Sequence, residues 1–382
     1  MWETTLTLVV SILSVGVMMG IVPYVMRRNI QFGVSMPEGA HQRPEIKRMM
    51  RTYLLLNIGL SLLALVPVLA GFFLGLSEEG LAAYIGWSVS LAVLANLLIA
   101  FMIYLAYYGK AKRLKAELFQ HLSAPADTRV MVATDFREGL RTVSTPAFAF
   151  WGILIIALTA GLSALAFDGM PDYIPRQWGF DGEVSAYVPK TMGSVMLLPI
   201  LQALMLPIFL VSNYVFKAGK QMIKPANPRV SLAQNRAFRQ AMSRFLVGIG
   251  LGCLIFFAVL QYAIVTNLEN VWVFNVATLV LTVLVMVFSI RLAVKYGQGG
   301  ERYRVADTSG APMAAPQEMV DDDEYWKWGF LYYNKADPAY FVEKRFGIGM
   351  TVNWARWQAW AFLGGLILFC VLMTVVPFFL LS

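Results

Sequence analysis

Asp168–Lys190 reads DGMPDYIPRQWGFDGEVSAYVPK and lies between two apolar runs, Ala147–Phe167 and Thr191–Phe216. A membrane-spanning helix needs about 20 mostly apolar residues, so each flanking run is long enough to cross a bilayer. The stretch between them is polar, is stiffened by Pro171, Pro175 and Pro189, and carries a turn signal at Asp181-Gly182. Outward from it the same pattern recurs. Leu6–Met26, Tyr53–Leu76 and Leu81–Tyr107 precede it; Phe245–Val265, Val271–Ile290 and Gln358–Leu381 follow. The short links Ser77–Gly80 and Thr266–Asn270 join neighbouring runs as tight helical hairpins. The fold class expected is an all-α integral membrane protein, a bundle of about eight transmembrane helices with one outer loop and four cytoplasmic segments.

Composition agrees. The 382 residues are 58% hydrophobic and 14% charged, against roughly 45–50% and about 25% in soluble domains. The net charge of +8 would suggest nucleic acid in a soluble protein. Here Lys and Arg fall between the apolar runs, and 29 of the 31 lie in alternate segments: six after the first run, seven after the third, seven after the fifth and nine after the seventh. Arg176 and Lys190 are the two on the other side. The positive-inside rule then makes the four basic segments cytoplasmic and puts Asp168–Lys190 and both termini outside. The first basic residue, Arg27, follows the first apolar run, so residues 6–26 are expected to remain as an anchor rather than act as a cleaved signal. The bilayer is the expected partner, and nucleic acid is not.

The chain divides accordingly. Residues 1–167 form an N-terminal four-helix membrane half with basic loops, and 168–190 form the outer loop. Residues 191–295 hold the fifth to seventh helices. A flexible acidic linker, 296–324, is followed by an aromatic cytoplasmic segment, 325–356, and a last spanning helix, 357–382. Lys110–Leu122 extends the third helix amphipathically, either along an anionic inner leaflet or packed on a neighbouring loop. Gln298–Val320 is rich in Gly, Ala, Pro and Ser and reads as a linker. The acidic run Asp321–Glu324 reads as a solvated face.

The spans carry no deep acid, Lys, Arg or His. Their polar residues are amides, Asn57, Asn96, Gln202, Asn213, Gln261 and Asn275, which suit hydrogen bonds between helices or, alternatively, a polar substrate path. Pro199 and Pro207 free backbone carbonyls in the fifth helix and are expected to kink it. Gly248, Gly250 and Gly252 give the sixth a small-residue face. A carboxylate relay, a metalloprotease helix, a nucleophile elbow and a phosphate loop are all missing from the sequence. Cys253 and Cys370 both fall within apolar runs. The expectation is a non-enzyme with no catalytic residues, cofactor or metal.

Two motifs go further. Pro171-Asp172-Tyr173-Ile174-Pro175-Arg176-Gln177-Trp178-Gly179, then Asp181-Gly182-Glu183-Val184 and Lys190, resemble the short extracellular motif of a bacterial membrane family, DUF1648, which includes the SdpI-like immunity proteins. The family pattern commonly has His where this chain has Gln177, and an amide neither titrates nor binds metal well. Trp326–Pro338, then Lys344–Gly349 and Asn353, resemble the cytoplasmic segment DUF5808, which often accompanies the first. Phe32-Gly33-Val34-Ser35-Met36 is echoed in Phe346-Gly347-Ile348-Gly349-Met350, as if a glycine turn folded an aromatic back under the helices.

The resemblance implies a non-enzymatic, multi-pass protein of the bacterial cytoplasmic membrane that recognises a ligand outside, of immunity- or signal-receiving type. The alternative is a transporter or flippase for an amphipathic substrate. The outer residues implied to bind a peptide or lipid ligand are Pro171, Asp172, Pro175, Arg176, Gln177, Trp178, Gly179, Gly182 and Lys190. On physical grounds the same loop suits a structural cap equally well. Trp326, Trp328, Gly329, Tyr332, Asn334, Asp337, Arg345, Phe346, Gly347, Gly349 and Asn353 would meet a cytosolic protein partner, or pack beneath the last helix. The topology is directly testable: cysteines at Ser123, Ser231 and Ser309 should react only from the cytoplasm and one at Ser185 only from outside. Labelling of Ser185→Cys from within alone would invert the assignment.

Overall fold

A computed structural model describes residues 2–37, 39–119, 123–125, 136–178, 184–221, 228–267, 272–305 and 319–381. Eight long helices carry it: α1 (Trp2–Val25), α2 (Pro44–Ala70), α3 (Glu78–Phe119), α4 (Thr145–Ala166), α5 (Met192–Ala218), α6 (Pro228–Val265), α7 (Trp272–Tyr296) and α8 (Trp357–Leu381). All eight are long and apolar enough to cross a membrane. Large apolar side chains such as Leu63, Trp87, Met102, Leu165 and Phe378 stand exposed around the bundle, a surface that only lipid would cover. The chain is a multi-pass membrane protein.

α3 and α6 outrun the apolar runs that foretold them. α3 is one helix of 42 residues and α6 one of 38, so both project beyond the apolar zone at the end where the basic segments gather. That end is called the basic end below. α2 packs on α1 and α3; α4, α5 and α6 pack on one another; α7 lies against α1 and α6, and α8 against α5. The packing boundary therefore falls between α3 and α4, one helix earlier than the grouping 1–167, because α4 finds its apolar partners in α5 and α6.

The strands come as two-stranded pieces: β1 (Ile30–Gln31) with β2 (Val34–Ser35), β3 (Ser123–Pro125) with β6 (Met319–Asp321), β4 (Tyr173–Trp178) with β5 (Val184–Pro189), β7 (Trp326–Lys327) with β8 (Leu331–Tyr332), and β9 (Phe341–Glu343) with β10 (Met350–Val352). Among the described residues, four of the five pairs are at the basic end. The β4–β5 hairpin closes the opposite end of α4, α5 and α6.

Within the bundle the amides bond between helices. Asn96 Nδ2 on α3 donates to Ser61 Oγ on α2 at 2.8 Å. Gln202 Nε2 on α5 reaches the Leu254 carbonyl of α6 at 2.7 Å. Asn213 Nδ2 donates to the Val143 carbonyl and its Oδ1 accepts from Ser243 Oγ at 2.6 Å. The amide N–H groups of Asn96, Gln202 and Asn213 are thereby spent on packing. Asn57 instead donates to the Tyr53 carbonyl of its own helix.

Gln261 explains a proline. α5 continues through Pro199, which has no N–H to offer the carbonyl four residues back. That carbonyl belongs to Val195, and Gln261 Nε2 donates to it at 2.9 Å while also donating to Ser163 Oγ on α4 at 2.9 Å. One buried amide thus ties three helices and satisfies an oxygen that lipid could not. Gln261→Leu should therefore destabilise the bundle by about 1–2 kcal/mol, read by unfolding in bicelles. Adding Pro199→Ala, which restores the helical donor, should recover part of that loss. Equal losses with and without Pro199 would refute the pairing.

Candidate functional sites at the two ends of the bundle

At the hairpin end, β4 and β5 run antiparallel with Ile174 opposite Val188. Both side chains are buried with Met170 and Val195, against Phe167, Ile264 and Val265. The hairpin is thereby seated on the ends of α4, α5 and α6. Its base is latched by Lys190: the backbone N–H donates to the Asp172 carbonyl at 2.7 Å, Nζ donates to the Met170 carbonyl at 2.8 Å, and the ammonium lies 5.2 Å from the Phe167 ring centre. α5 starts with a reciprocal cap between Thr191 and Ser194, which fixes the exit of β5.

Pro171, Asp172, Tyr173 and Arg176 are exposed on this hairpin, as is Tyr187 opposite them. Pro175 is buried. Among the residues singled out from sequence, Lys190 holds the hairpin base rather than facing outward. Gln177 and Trp178 lie on β4 by their backbone; Gly179 and Gly182 are outside the described residues.

The basic end is a cap of interlocked charges. Glu343, on β9, is almost completely buried, and its two oxygens face different helices. Oε2 pairs with Arg27, just past α1. Oε1 accepts from Asn235 Nδ2 and lies 3.8 Å from the Arg239 guanidinium, both on α6. Arg239 is fully buried and also caps the end of α5, donating from Nη1 to the Gly219 carbonyl at 2.8 Å and from Nη2 to that of Lys220. A cation is favoured there, where the helix dipole ends negative. Burial alone would weaken the hold of Arg27 on its proton, but Glu343 and then Glu301 raise its pKa above the ordinary arginine value.

A second knot lies beside the first. Arg345 donates to the Gly33 carbonyl at 3.0 Å and to Ser35 Oγ at 2.7 Å, pairs with Asp322 and Asp323, and stacks 5.2 Å over the Trp326 ring. Lys115, near the end of α3, sits 2.7 Å from both Asp321 and Asp323. Burial would raise the Asp323 carboxyl, yet Arg345, Lys115 and the Ser35 amide hold it below the usual range. The acidic run is thus a clamp and not a solvated face: its carboxylates pair with Arg345 and with Lys115 of α3, while the seven bases between Lys217 and Arg244, which have no acid of their own, draw on Asp337 and Glu343 through Lys220 and Arg239. The α3 extension packs, with Leu114 and Leu118 against the cluster of Phe32, Tyr53, Tyr104 and Tyr107.

The motif echo has a physical basis here. Phe32 lies among Tyr53 and Tyr107, and the Phe346 ring centre is 4.0 Å from that of Tyr104, tilted by 44°. Gly33 and Gly347, the residues after them, take φ of 81° and 90°. Gly33 also meets Gly329 backbone to backbone, and Tyr104 Oη donates to the Trp328 carbonyl beside them at 2.9 Å. A Cβ on Gly33 would lie 2.6 Å from the Gly329 carbonyl oxygen.

Most residues expected to meet a cytosolic partner are spent inside this cap. Trp326, Tyr332, Asp337, Arg345 and Asn353 are buried. Asn353 Nδ2 donates to the carbonyls of Asn334 and Asp337, and its Oδ1 accepts the Asn334 N–H. Asp337 pairs with Lys220 at 2.7 Å and accepts from Tyr332 Oη at 2.7 Å; Lys220 heads the influences that keep its carboxyl low against burial. Gly349 bonds through both N–H and carbonyl to the buried Gln298 side chain. Gln298–Gly300 is accordingly a buried turn and not the start of a linker, while 306–318 lie outside the described residues. Trp328 remains exposed, with Tyr333 and Tyr340. Sequence reading missed Arg27, Asn235, Arg239 and Glu343.

Glu343→Gln should destabilise the protein by about 3–5 kcal/mol, because two buried guanidiniums would lose their carboxylate. Thermal unfolding in detergent reads this. A change below about 1 kcal/mol would show that the pair is not the cap's anchor.

No curated protein and no solved structure matches the chain. Two family models do. Residues 335–360, from the middle of the cap's C-terminal segment into α8, match DUF5808, a family of unknown function; Trp326–Asn334 precede that match. Residues 154–203, which take in most of α4, the hairpin and the first half of α5, match DUF1648, a domain of unknown function. Similarity to DUF1648 thus falls at the hairpin end and similarity to DUF5808 at the basic end of one multi-pass membrane chain.

Proposed function

We propose that the protein is a non-enzymatic receiver in the bacterial cytoplasmic membrane, of immunity- or signal-receiving type. The β4–β5 hairpin and both termini face outward, and the basic end faces the cytoplasm. The observation that carries this reading is the division of the hairpin into two faces. Its inner face is locked onto three helix ends, and its outer face presents Tyr173, Tyr187, Asp172 and Arg176 to solvent. Rigidly held aromatics flanked by both charge signs bind with little ordering penalty. A peptide or a lipid headgroup outside is the ligand class that fits.

α6 supplies the connection inward. Ile264 and Val265 touch the hairpin core, and Arg239 and Asn235, on the same unbroken helix, hold Glu343. At 1.5 Å per residue these ends are about 38 Å apart. A ligand that binds one hairpin position more tightly than another biases α6, and with it the ionic cap. Trp328, Tyr333 and Tyr340 then give a cytosolic partner an exposed aromatic surface.

The test is complementation of a deletion strain. Tyr173→Ala with Tyr187→Ala, or Trp178→Ala alone, should abolish the phenotype at unchanged membrane level. Ile174→Ala should lower the level itself. Trp328→Ala should spare outer-face binding and break the response. If the paired tyrosine variant disappears from the membrane, the hairpin is a structural cap and the recognition reading fails.

A further inference from the structure

A half-open cavity of about 430 Å³ lies at the basic end, between the last turn of α1 and the first turns of α2. Its apolar wall is Pro23, Met26 and Met50. Its polar wall is Arg28, Lys47, Arg51 and Arg302, with His41 and Gln31. No carboxylate is among the described residues lining it. The volume is within the usual range for small-ligand pockets, roughly 300–1,000 Å³. The cavity belongs to neither the hairpin nor the Glu343 cap, and nothing in the proposed function uses it.

The four cations come from three separate segments. Lys47 and Arg51 are one helical turn apart on α2 and both exposed. Arg28 follows α1 and is exposed, its backbone N–H held at 3.1 Å by Glu301 Oε2. Arg302 follows α7, and its guanidinium donates to the Tyr24 carbonyl at the end of α1. Like charges converge on a cavity at some electrostatic penalty unless an anion relieves it. Arg302 registers that penalty: burial first, then Arg28, pushes its pKa below the ordinary arginine value against the pull of Glu301.

We infer that this cavity binds the phosphate of an anionic phospholipid headgroup, with the glycerol and first acyl carbons on Pro23, Met26 and Met50. Phosphate fits because four guanidinium and ammonium groups offer many donors to a compact anion. A lipid fits better than a free anion because the cavity opens where two spans leave the apolar zone, and one wall is apolar. The site would fix the first helical hairpin, α1–α2, to the membrane surface through a headgroup.

The experiment uses the full chain in phosphatidylcholine nanodiscs with increasing phosphatidylglycerol, read by thermal melting. Phosphatidylglycerol should raise the melting temperature by linkage to the folded state. Lys47→Gln with Arg51→Gln removes two cations for which no structural bond is described. It should melt like wild type in pure phosphatidylcholine and weaken the phosphatidylglycerol response about thirtyfold. Arg48→Gln with Arg113→Gln, an equal loss of charge outside the cavity, should keep the wild-type response. Two results would overturn the assignment: an unchanged response in the cavity variant, or an equal loss in the control variant. Inorganic phosphate or glycerol phosphate matching the lipid effect would also overturn it, by assigning the site to a soluble anion.

Discussion

One carboxylate holds the basic end together. Glu343 lies between Arg27 at the foot of α1 and Arg239 at the foot of α6, and it belongs to neither helical group. The N-terminal helices α1–α3 and the trio α4–α6 share little direct packing; α7 bridges them within the apolar zone. In lipid, apolar contact gives helices no hydrophobic reason to prefer each other over acyl chains. The specific contacts that decide the arrangement must be polar, and they concentrate where the helices leave the membrane. A segment late in the chain supplies the acid that Lys217–Arg244 lacks, and Glu343 within it joins the two helical groups.

The same logic applies at finer scale along α5. A proline removes a donor, and a neighbouring helix replaces it through Gln261. A helix end leaves carbonyls open, and Arg239 fills them. Both gaps in the backbone bonding are filled by a side chain from α6. This makes α6 the common member: it meets α4 and α5 through Gln261, the hairpin through Ile264 and Val265, and the cap through Asn235 and Arg239. Its length of 38 residues is what lets one rigid element touch both ends.

The spans were legible in the sequence because a run of about 20 apolar residues has few other uses, and the expected amide bonds followed from the cost of an unpaired amide in lipid. The cap was not legible. The composition of 296–324 suggested a linker, and an acidic run near basic loops suggested solvent. Both readings judge a segment by itself, whereas Gln298 is bonded by Gly349, 51 residues on, and Asp323 by Lys115 and Ser35, 208 and 288 residues back in the chain. The available signal was the imbalance itself: Lys217–Arg244 holds seven bases and no acid. The two Phe-Gly motifs were visible too, but only the meeting of their rings with Tyr53, Tyr104 and Tyr107 shows them to be two halves of one seal.

Docking of the cap on Gly33 and Gly329 sets a further constraint. Two backbones touch there with the Tyr104 hydroxyl beside both glycines, and Trp328, next to that contact, adopts φ of 52°, a conformation unfavourable for a bulky residue. The strain is tolerated because Tyr104 holds the Trp328 carbonyl and Arg345 holds that of Gly33. The exposed indole is therefore presented by a backbone that only the assembled cap can maintain. A change transmitted through α6 that loosened Glu343 would loosen Arg345 two residues on, and with it the posture of Trp328. An exposed indole on the basic end is in this way tied through the cap to a buried carboxylate.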